Sequence, residues 1–133
     1  MSNKSKKILT EISAGELLDK ISILEIKLEK VLDKNNLEEI KKEHAVLKEA
    51  QSLNISFNDK INDLYKSLKE INLKLWNIED KLRIYEKKKN FNKDFIDLAR
   101  DVYITNDKRS MVKSEINKEL GSNIKEIKQY VKY

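Results

Sequence analysis

The chain has 133 residues, the size of one domain with a single modest core. It contains no cysteine, no proline and only two glycines, which excludes disulfides, thiolate metal ligands and Gly-rich phosphate loops and disfavours a fold with many tight β-turns. Its 28 cations and 23 carboxylates are interspersed along the chain, so the net charge of +5 gives little support to nucleic acid as a partner.

The first residues, 1–12, are rich in lysine, and we expect them to form a basic, flexible tail ahead of a single helical domain at residues 13–133. No apolar segment follows the lysines, so a signal peptide is not expected. No run of 18 apolar residues occurs, which predicts that the chain does not insert into a membrane. The absence of cysteine favours a cytoplasmic location.

A capping box marks the start of the first helix. Ser13 is expected to accept a hydrogen bond from a first-turn amide while Glu16 reaches back to the cap. Apolar residues then recur every three or four positions, at Leu17, Ile21, Leu24, Leu28 and Val31. A helix is therefore predicted over residues 14–33, with an apolar face wide enough to touch two neighbours.

A second helix is predicted over residues 37–53, with Asn36 as its N-cap and a weaker apolar stripe. It carries the only histidine, His44, which we interpret as a boundary residue of the helix face. One histidine is too few for a di-iron helical site, and no Gly-x-Ser-x-Gly turn presents a serine nucleophile. We therefore expect no metal, no cofactor and no catalytic residue.

The third helix, predicted over residues 57–88 after an N-cap at Ser56, has the most regular pattern of the chain. Its apolar residues alternate at spacings of four and three through four heptads. They are Phe57, Ile61, Leu64, Leu68, Ile71, Leu75, Ile78, Leu82 and Tyr85. Such a seam is typical of a coiled coil, and at 1.5 Å per residue the helix spans about 48 Å, so its partner must also be long.

The fourth helix is predicted over residues 92–120 and ends at Gly121, a residue suited to the left-handed conformation that follows a helix. The sequence leaves open whether this helix is continuous or kinked near Thr105-Asn-Asp107, where Asn106 could cap a new helix. Ser122 is expected to cap a last short helix. That helix would carry Ile124, Ile127 and Val131.

These elements predict an all-α fold, an antiparallel helical bundle built on a long helical hairpin, residues 57–88 with 92–120. A shorter helix pair, residues 14–33 and 37–53, is expected to cover the exposed seam of the hairpin. The same heptads can close within one chain or between two, so a protein partner or self-association is expected.

A polar stripe follows the apolar seam of the third helix at the same spacing, through Asn72, Trp76, Glu79, Arg83 and Glu86. The fourth helix adds Arg100, Tyr103, Asn106, Asp107, Arg109 and Lys113, and the first adds Glu16, Asp19, Lys20 and Glu25. Pointed inward, these groups would form a pocket for a small anion or a sugar-like ligand. The candidate ligand-binding residues are Trp76, Glu79, Arg83, Arg100, Tyr103, Asn106, Asp107 and Arg109. The alternative is that they are ordinary surface ion pairs.

Two strings carry a resemblance to a known group of proteins: Leu-Trp-x-Ile-Glu-Asp at residues 75–80 and Thr-Asn-Asp-x-Arg at residues 105–109. With the segments around residues 15–30 and 121–130, they resemble an uncharacterised family of short helical proteins of bacteria and phages. The resemblance covers most of the chain beyond residue 12. It implies no assigned activity, and some relatives are expected near glycosyltransferase or surface-polysaccharide genes.

The sequence therefore favours a non-enzymatic binding or assembly module, with a role accessory to sugar or surface-polysaccharide metabolism as the direction that the resemblance implies. A small-anion or sugar-ligand protein or enzyme with an arginine and carboxylate pocket is the first alternative. Weak nucleic-acid binding is the second alternative. It is less favoured because the lysine clusters are far apart in sequence and no helix-turn-helix pattern is present.

Overall fold

The computed structural model describes residues 6–133, and its regular structure consists of four helices. They are α1 (Ala14–Lys30), α2 (Lys34–Asn54), α3 (Asp59–Lys87) and α4 (Lys93–Leu120). No strand occurs in this part of the chain. The all-α prediction is confirmed.

The N-terminus of α1 begins where the capping box predicts. The Ser13 side chain accepts a hydrogen bond from the Glu16 amide at 3.1 Å. The expected return bond from Glu16 is wrong, because its carboxylate pairs with Lys113 on α4 and with Lys20 one turn later. The helix ends at Lys30 and not at residue 33, because the chain turns extended there to start α2.

The N-caps of α2 and α3 differ from those predicted. Asp33 caps α2, accepting from the Asn36 amide at 2.8 Å, so the helix starts three residues before the predicted one. Asn58 caps α3, accepting from the Ile61 amide at 2.8 Å. An aspartate or asparagine oxygen satisfies a free first-turn amide as well as the predicted cap would, so sequence alone does not separate neighbouring candidates.

Helices α3 and α4 form the predicted antiparallel hairpin. Lys60 near the start of α3 pairs with Glu119 near the end of α4 at 3.0 Å, and the Tyr85 and Phe95 rings meet beside the turn, 6.4 Å apart. Helix α4 is one helix with no break near residues 105–107. It ends at Gly121, whose φ of 61° is the predicted left-handed conformation.

The core lies at the basal end of the hairpin, the end away from the turn between α3 and α4, where α1 crosses the hairpin. Leu18 and Ile21 of α1 pack with Ile61 and Leu68 of α3 and with Ile116 of α4, and all five are fully buried. Burying a side chain of this size stabilises the fold by roughly 1.5–3 kcal/mol relative to exposure. The apolar stripe of α1 is therefore what joins the two long helices.

Only α1 of the shorter helix pair contacts both helices of the hairpin. Helix α2 packs against α1, has no buried residue, and reaches the core through the partly buried Leu47 and Ala50 alone. The expectation that both short helices cover the hairpin seam is thus correct for α1 and wrong for α2. The weak apolar stripe of α2 explains this position, because it has little surface to bury.

The predicted last helix after Gly121 is wrong: residues 122–133 have no regular structure. The Ser122 hydroxyl does not cap a following helix but accepts from the amide of Ala14, the first residue of α1, at 3.1 Å. A helix of this length is marginal by itself, and side-chain contacts to the bundle replace it. The Asn123 side chain donates to Glu11 at 2.7 Å, and Tyr133 donates to Asp107 at 2.5 Å.

The predicted basic tail spans residues 1–12, of which residues 1–5 lie outside the described part of the chain. Residues 6–12 carry no helix and are exposed. No helix between residues 6 and 133 is long and apolar enough to cross a membrane.

Candidate functional site

A buried carboxylate lies where α1 meets α3 and α4. Asp19 is 1% exposed. The Arg109 guanidinium of α4 donates to both of its oxygens, Nε to Oδ1 at 2.9 Å and Nη2 to Oδ2 at 2.5 Å. This two-bond geometry fixes the plane of the guanidinium as well as its position.

Helix α3 contributes an amide to the same carboxylate. Asn72, 5% exposed, donates from Nδ2 to Asp19 Oδ1 at 2.9 Å and to Ser22 Oγ at 2.8 Å. The Ser22 hydroxyl in turn donates to the Asp19 carbonyl at 2.7 Å. Three helices thus supply hydrogen-bonding groups to one point, which satisfies the demand that a buried carboxylate be paired.

Lys113 is the second cation at this junction, and its side chain is only 12% exposed. Its Nζ lies 2.8 Å from the Glu16 carboxylate, 3.3 Å from Glu126 and 3.8 Å from Asp19 Oδ2. We call Asp19, Ser22, Asn72, Arg109 and Lys113 the polar centre. Its positive and negative groups are close enough to neutralise one another locally.

The backbone of α1 meets α4 directly beside the polar centre. The Gly15 amide donates to Asn117 Oδ1 at 2.7 Å. A Cβ on Gly15 would lie 2.6 Å from the Lys113 carbonyl oxygen, closer than any side chain can stand. Glycine at this position is what allows the two helices to approach so near.

The pKa values of the charged groups at this junction are shifted by their ion pairs. The hydrogen bond to Asp19 raises the pKa of the Arg109 guanidinium, and burial opposes the rise. At the edge of the junction, hydrogen bonds from Lys128 and Lys113 lower the pKa of the Glu126 carboxyl. The arginine therefore stays charged at every accessible pH.

One groove, here the Trp groove, opens between α1 and α3 on one side of Arg109, with a volume of about 470 Å³. It is lined by Ile23, Ile26, Asn72, Leu75, Trp76, Glu79, Asp80, Arg83 and Arg109. Glu79 and Arg83 pair with each other one turn apart, and the arginine side chain is 72% exposed. Their pairing is the surface ion pair that the alternative interpretation expects, while Trp76 forms a partly buried wall.

A larger groove, here the C-terminal groove, lies between α4 and residues 126–133, with a volume of about 640 Å³. It is lined by Glu16, Val102, Tyr103, Asn106, Asp107, Arg109, Ser110, Lys113, Glu126, Lys128, Tyr130, Val131 and Tyr133. The Tyr103 and Tyr133 rings meet edge to face, with centroids 5.3 Å apart. Three of the five tyrosines of the chain therefore surround this groove.

The candidate residues divide between these two grooves instead of meeting in one pocket. Trp76, Glu79 and Arg83 line the Trp groove, and Tyr103, Asn106 and Asp107 line the C-terminal groove. Arg109 lines both and links them. Arg100 lines neither; it is exposed, and its pairing with Tyr103 raises its pKa.

A second polar cluster lies where α1, α2 and α3 meet. The Tyr65 hydroxyl donates to the Glu25 carboxylate, whose other oxygen is 4.0 Å from His44 Nε2. Burial, followed by the hydrogen bond to Glu25, raises the pKa of the Tyr65 phenol. The Nε2 atom of His44 is buried without a hydrogen-bond partner. His44 is partly buried at the edge of the α2 face that packs on α1, and it faces a specific carboxylate there.

Sequence reasoning named Asp19, Asn72 and Lys113 among the groups that could point inward but did not include them in the candidate ligand-binding residues, and it did not name Ser22. One signal was available: Asp19 shares its helical face with Ile23 and Ile26, four and seven residues later. A carboxylate on an apolar face predicts a buried partner. Within residues 6–133, no group of three histidine or carboxylate side chains is arranged to hold a metal ion.

The comparison with curated proteins and the comparison with solved structures return no match. A family model does match, over residues 8–132, and so includes all four helices, the polar centre, the Trp groove and every residue of the C-terminal groove except Tyr133. The family is described as a family of unknown function. Since the match spans nearly the whole chain, the protein belongs to the DUF6165 family.

Proposed function

We propose that the protein is a non-enzymatic binding module that accommodates a small sugar-like ligand in the C-terminal groove. One observation carries the proposal: three exposed tyrosine rings surround a groove whose base holds a fixed arginine and lysine. Tyr103, Tyr130 and Tyr133 are 45%, 69% and 79% exposed. Aromatic faces beside polar groups suit the mixed apolar and hydroxylated surface of a sugar ring.

The charges of the groove favour a neutral ligand over a small anion. Its cations are Arg109, Lys113 and Lys128, and its carboxylates are Glu16, Asp107 and Glu126. Arg109 is already engaged by Asp19, and Lys113 by Glu16. An incoming anion would have to displace these contacts, whereas sugar hydroxyls can add hydrogen bonds to the existing pairs.

The amide and carboxylate at Asn106 and Asp107 are the expected ligand contacts. Asp107 accepts from the Tyr133 hydroxyl, so the end of the chain occupies one side of the groove. A ligand that takes this hydrogen bond would release Tyr133. The role in sugar or surface-polysaccharide metabolism and the cytoplasmic location belong to the same proposal, and the ligand chemistry of the groove supports the former.

Titration of the ¹⁵N-labelled protein with neutral hexoses and N-acetylhexosamines tests the proposal. We expect amide shifts confined to residues 102–110 and 126–133. The Tyr103→Ala variant should weaken binding by about tenfold, equivalent to about 1.4 kcal/mol. Tyr85→Ala, outside the groove, is the matched control and should leave the affinity unchanged.

Inorganic phosphate serves as the competing probe. If phosphate shifts the Arg109 and Lys113 signals and the sugars shift none, the small-anion alternative replaces the sugar proposal. If neither probe perturbs the groove, or if Tyr103→Ala binds sugars as the parent does, the groove is not the binding site.

A further inference from the structure

The hairpin of α3 and α4 has one face that α1 does not cover. At 100° per residue, Lys74, Lys81 and Lys88 lie on the side of α3 opposite to Trp76 and Arg83, which border α1. Two grooves of about 440 and 580 Å³ run along this open face. They share Lys81, Leu98 and Asp101, so they form one continuous groove along the distal half of the hairpin.

The floor of this groove is apolar. Tyr85 and Leu98 form it and are partly buried, while the partly buried Leu73 and the 52% exposed Ile84 lie beside the lysines on the side of α3 away from α4. Helix α2 does not cover these residues, because it packs against α1. An apolar strip along a helix pair, bounded by charged residues, is the pattern of a helix-packing surface.

The two rims of the groove carry opposite charges along most of their length, the exception being Glu70 at the end of the α3 rim far from the tip. On α3 they are lysines spaced by seven residues, Lys74, Lys81 and Lys88. On α4 they are aspartates spaced by three and four residues, Asp94, Asp97 and Asp101. Between residues 6 and 133, none of these six side chains forms an ion pair within 4.0 Å.

The register of the hairpin places two of the three lysines near the level of the aspartates. Tyr85 lies against Phe95, so Lys88 lies about two residues nearer the tip than Asp94, and both border the same groove. Farther from the tip, Lys81 borders the same groove as Asp101. Lys88 and Lys81 therefore lie at nearly the same distances from the tip as the three aspartates, whereas Lys74 lies farther from the tip than any of them.

We propose that this face is the interface between two copies of the chain. The copies are related by a two-fold axis parallel to the hairpin, with both tips at the same end, so that α3 of each copy lies over α4 of the other. Lys81 and Lys88 of each copy then face the aspartate rim of the partner at nearly the same height, and Ile84 lies at the edge of the interface. The result is a four-helix arrangement with a self-complementary interface.

The opposite charges of the two rims favour a second copy of the chain as the partner and a two-fold axis parallel to the hairpin. A partner of a single sign, such as nucleic acid or an anionic lipid surface, would be attracted by one rim and repelled by the other. A two-fold axis across the hairpin would place α3 over α3 and bring like charges together. The parallel axis alone satisfies both rims, as charged positions beside the seam do in coiled coils.

This inference is independent of the proposed ligand function, because the C-terminal groove lies on another side of α4. Sedimentation equilibrium of the full chain over a range of concentrations is the test. The parent protein should be a dimer that dissociates with added salt. Two charge-reversed variants, Lys81→Glu/Lys88→Glu and Asp97→Lys/Asp101→Lys, should each raise the dimer dissociation constant by at least about tenfold.

Mixing the two reversed variants provides the decisive measurement. In the mixture each rim again faces a rim of opposite charge, so a heterodimer should form at concentrations where neither variant dimerises alone. Lys34→Glu/Lys42→Glu on α2 makes the same change of charge away from the groove and should dimerise like the parent. Circular dichroism should report equal helix content in all four proteins.

A monomeric parent at the highest accessible concentration overturns the proposal. So does a parent dimer that both reversed variants retain, or a mixture of the two variants that stays monomeric while each variant is folded.

Discussion

Arg109 and Asp19 meet through two parallel hydrogen bonds across the junction of α4 and α1, with the carboxylate almost completely buried. Replacing Arg109 with alanine should destabilise the fold by about 3–5 kcal/mol, because it leaves a buried charge without its main partner. Urea denaturation measures the loss. The double variant Asp19→Asn/Arg109→Gln should lose less than the two single changes together, since it removes both charges. Additive losses would show that the pair is not coupled.

Gly15→Ala should also destabilise the protein. In an unconstrained helix, alanine is more favourable than glycine by about 1 kcal/mol, so propensity predicts a gain. Here the new Cβ would lie 2.6 Å from the Lys113 carbonyl and push α1 away from α4, at a cost of about 1–3 kcal/mol. The melting temperature in thermal unfolding shows whether the variant gains or loses stability. A stabilised variant would mean that the close approach of the helices is relaxed in solution.

Asn72→Ala removes the donor to Asp19 and to Ser22, and we expect a loss of about 1–3 kcal/mol from the unsatisfied acceptors. Asn62→Ala, on the exposed side of the same helix, is the matched control and should change stability by less than about 0.5 kcal/mol. Equal changes in stability for the two variants would show that the hydrogen bonds of Asn72 do not stabilise the fold beyond its helix propensity. Chemical denaturation of the two variants side by side makes the comparison.

Stability should fall above about pH 10 because of Tyr65. Its pKa is raised in the fold from the ordinary value of 10.0, so above that pH the unfolded chain releases a proton that the folded chain retains. The stabilising effect is therefore complete below pH 10 and is lost as the pH rises. Tyr65→Phe should flatten the dependence of unfolding free energy on pH between about 9 and 11.

The matched control for this titration is Tyr133→Phe. Asp107 raises the pKa of the exposed Tyr133, but solvent screens that pair, so its removal should have a smaller effect on the slope. If Tyr65→Phe retains the full slope of the parent, the buried phenol is not responsible for it.

The four helices could be derived from the sequence because residues close together in the chain determine where helices form. Ser13 and Gly121 mark helix ends through chemistry that acts within one turn. The heptads of α3 identify the buried positions Ile61, Leu68 and Ile78. The last helix was predicted on the same kind of pattern and was wrong, because the contacts of residues 122–133 with α4 and residue 11 are not local.

The candidate site was harder to derive, because its geometry depends on the rotation of each helix about its axis. The polar stripe of α3 is regular, yet only Asn72 of that stripe is buried, while Arg83 points to solvent. Periodicity identifies residues that share a face and does not say which neighbour that face meets. Arg109 was selected as a candidate, but its partner Asp19 becomes evident only when α1 is placed against α4.

Between Ile78 and Thr105, no residue of the hairpin is fully buried. Amide hydrogen exchange should therefore proceed in stages, with the distal turns opening by local fluctuations and the basal core exchanging only through global unfolding. A boundary between two cooperative units is expected near the level of Asn72 and Thr105. The proposed dimer would slow amide exchange in the distal unit selectively, so the protection of that unit from exchange should depend on protein concentration.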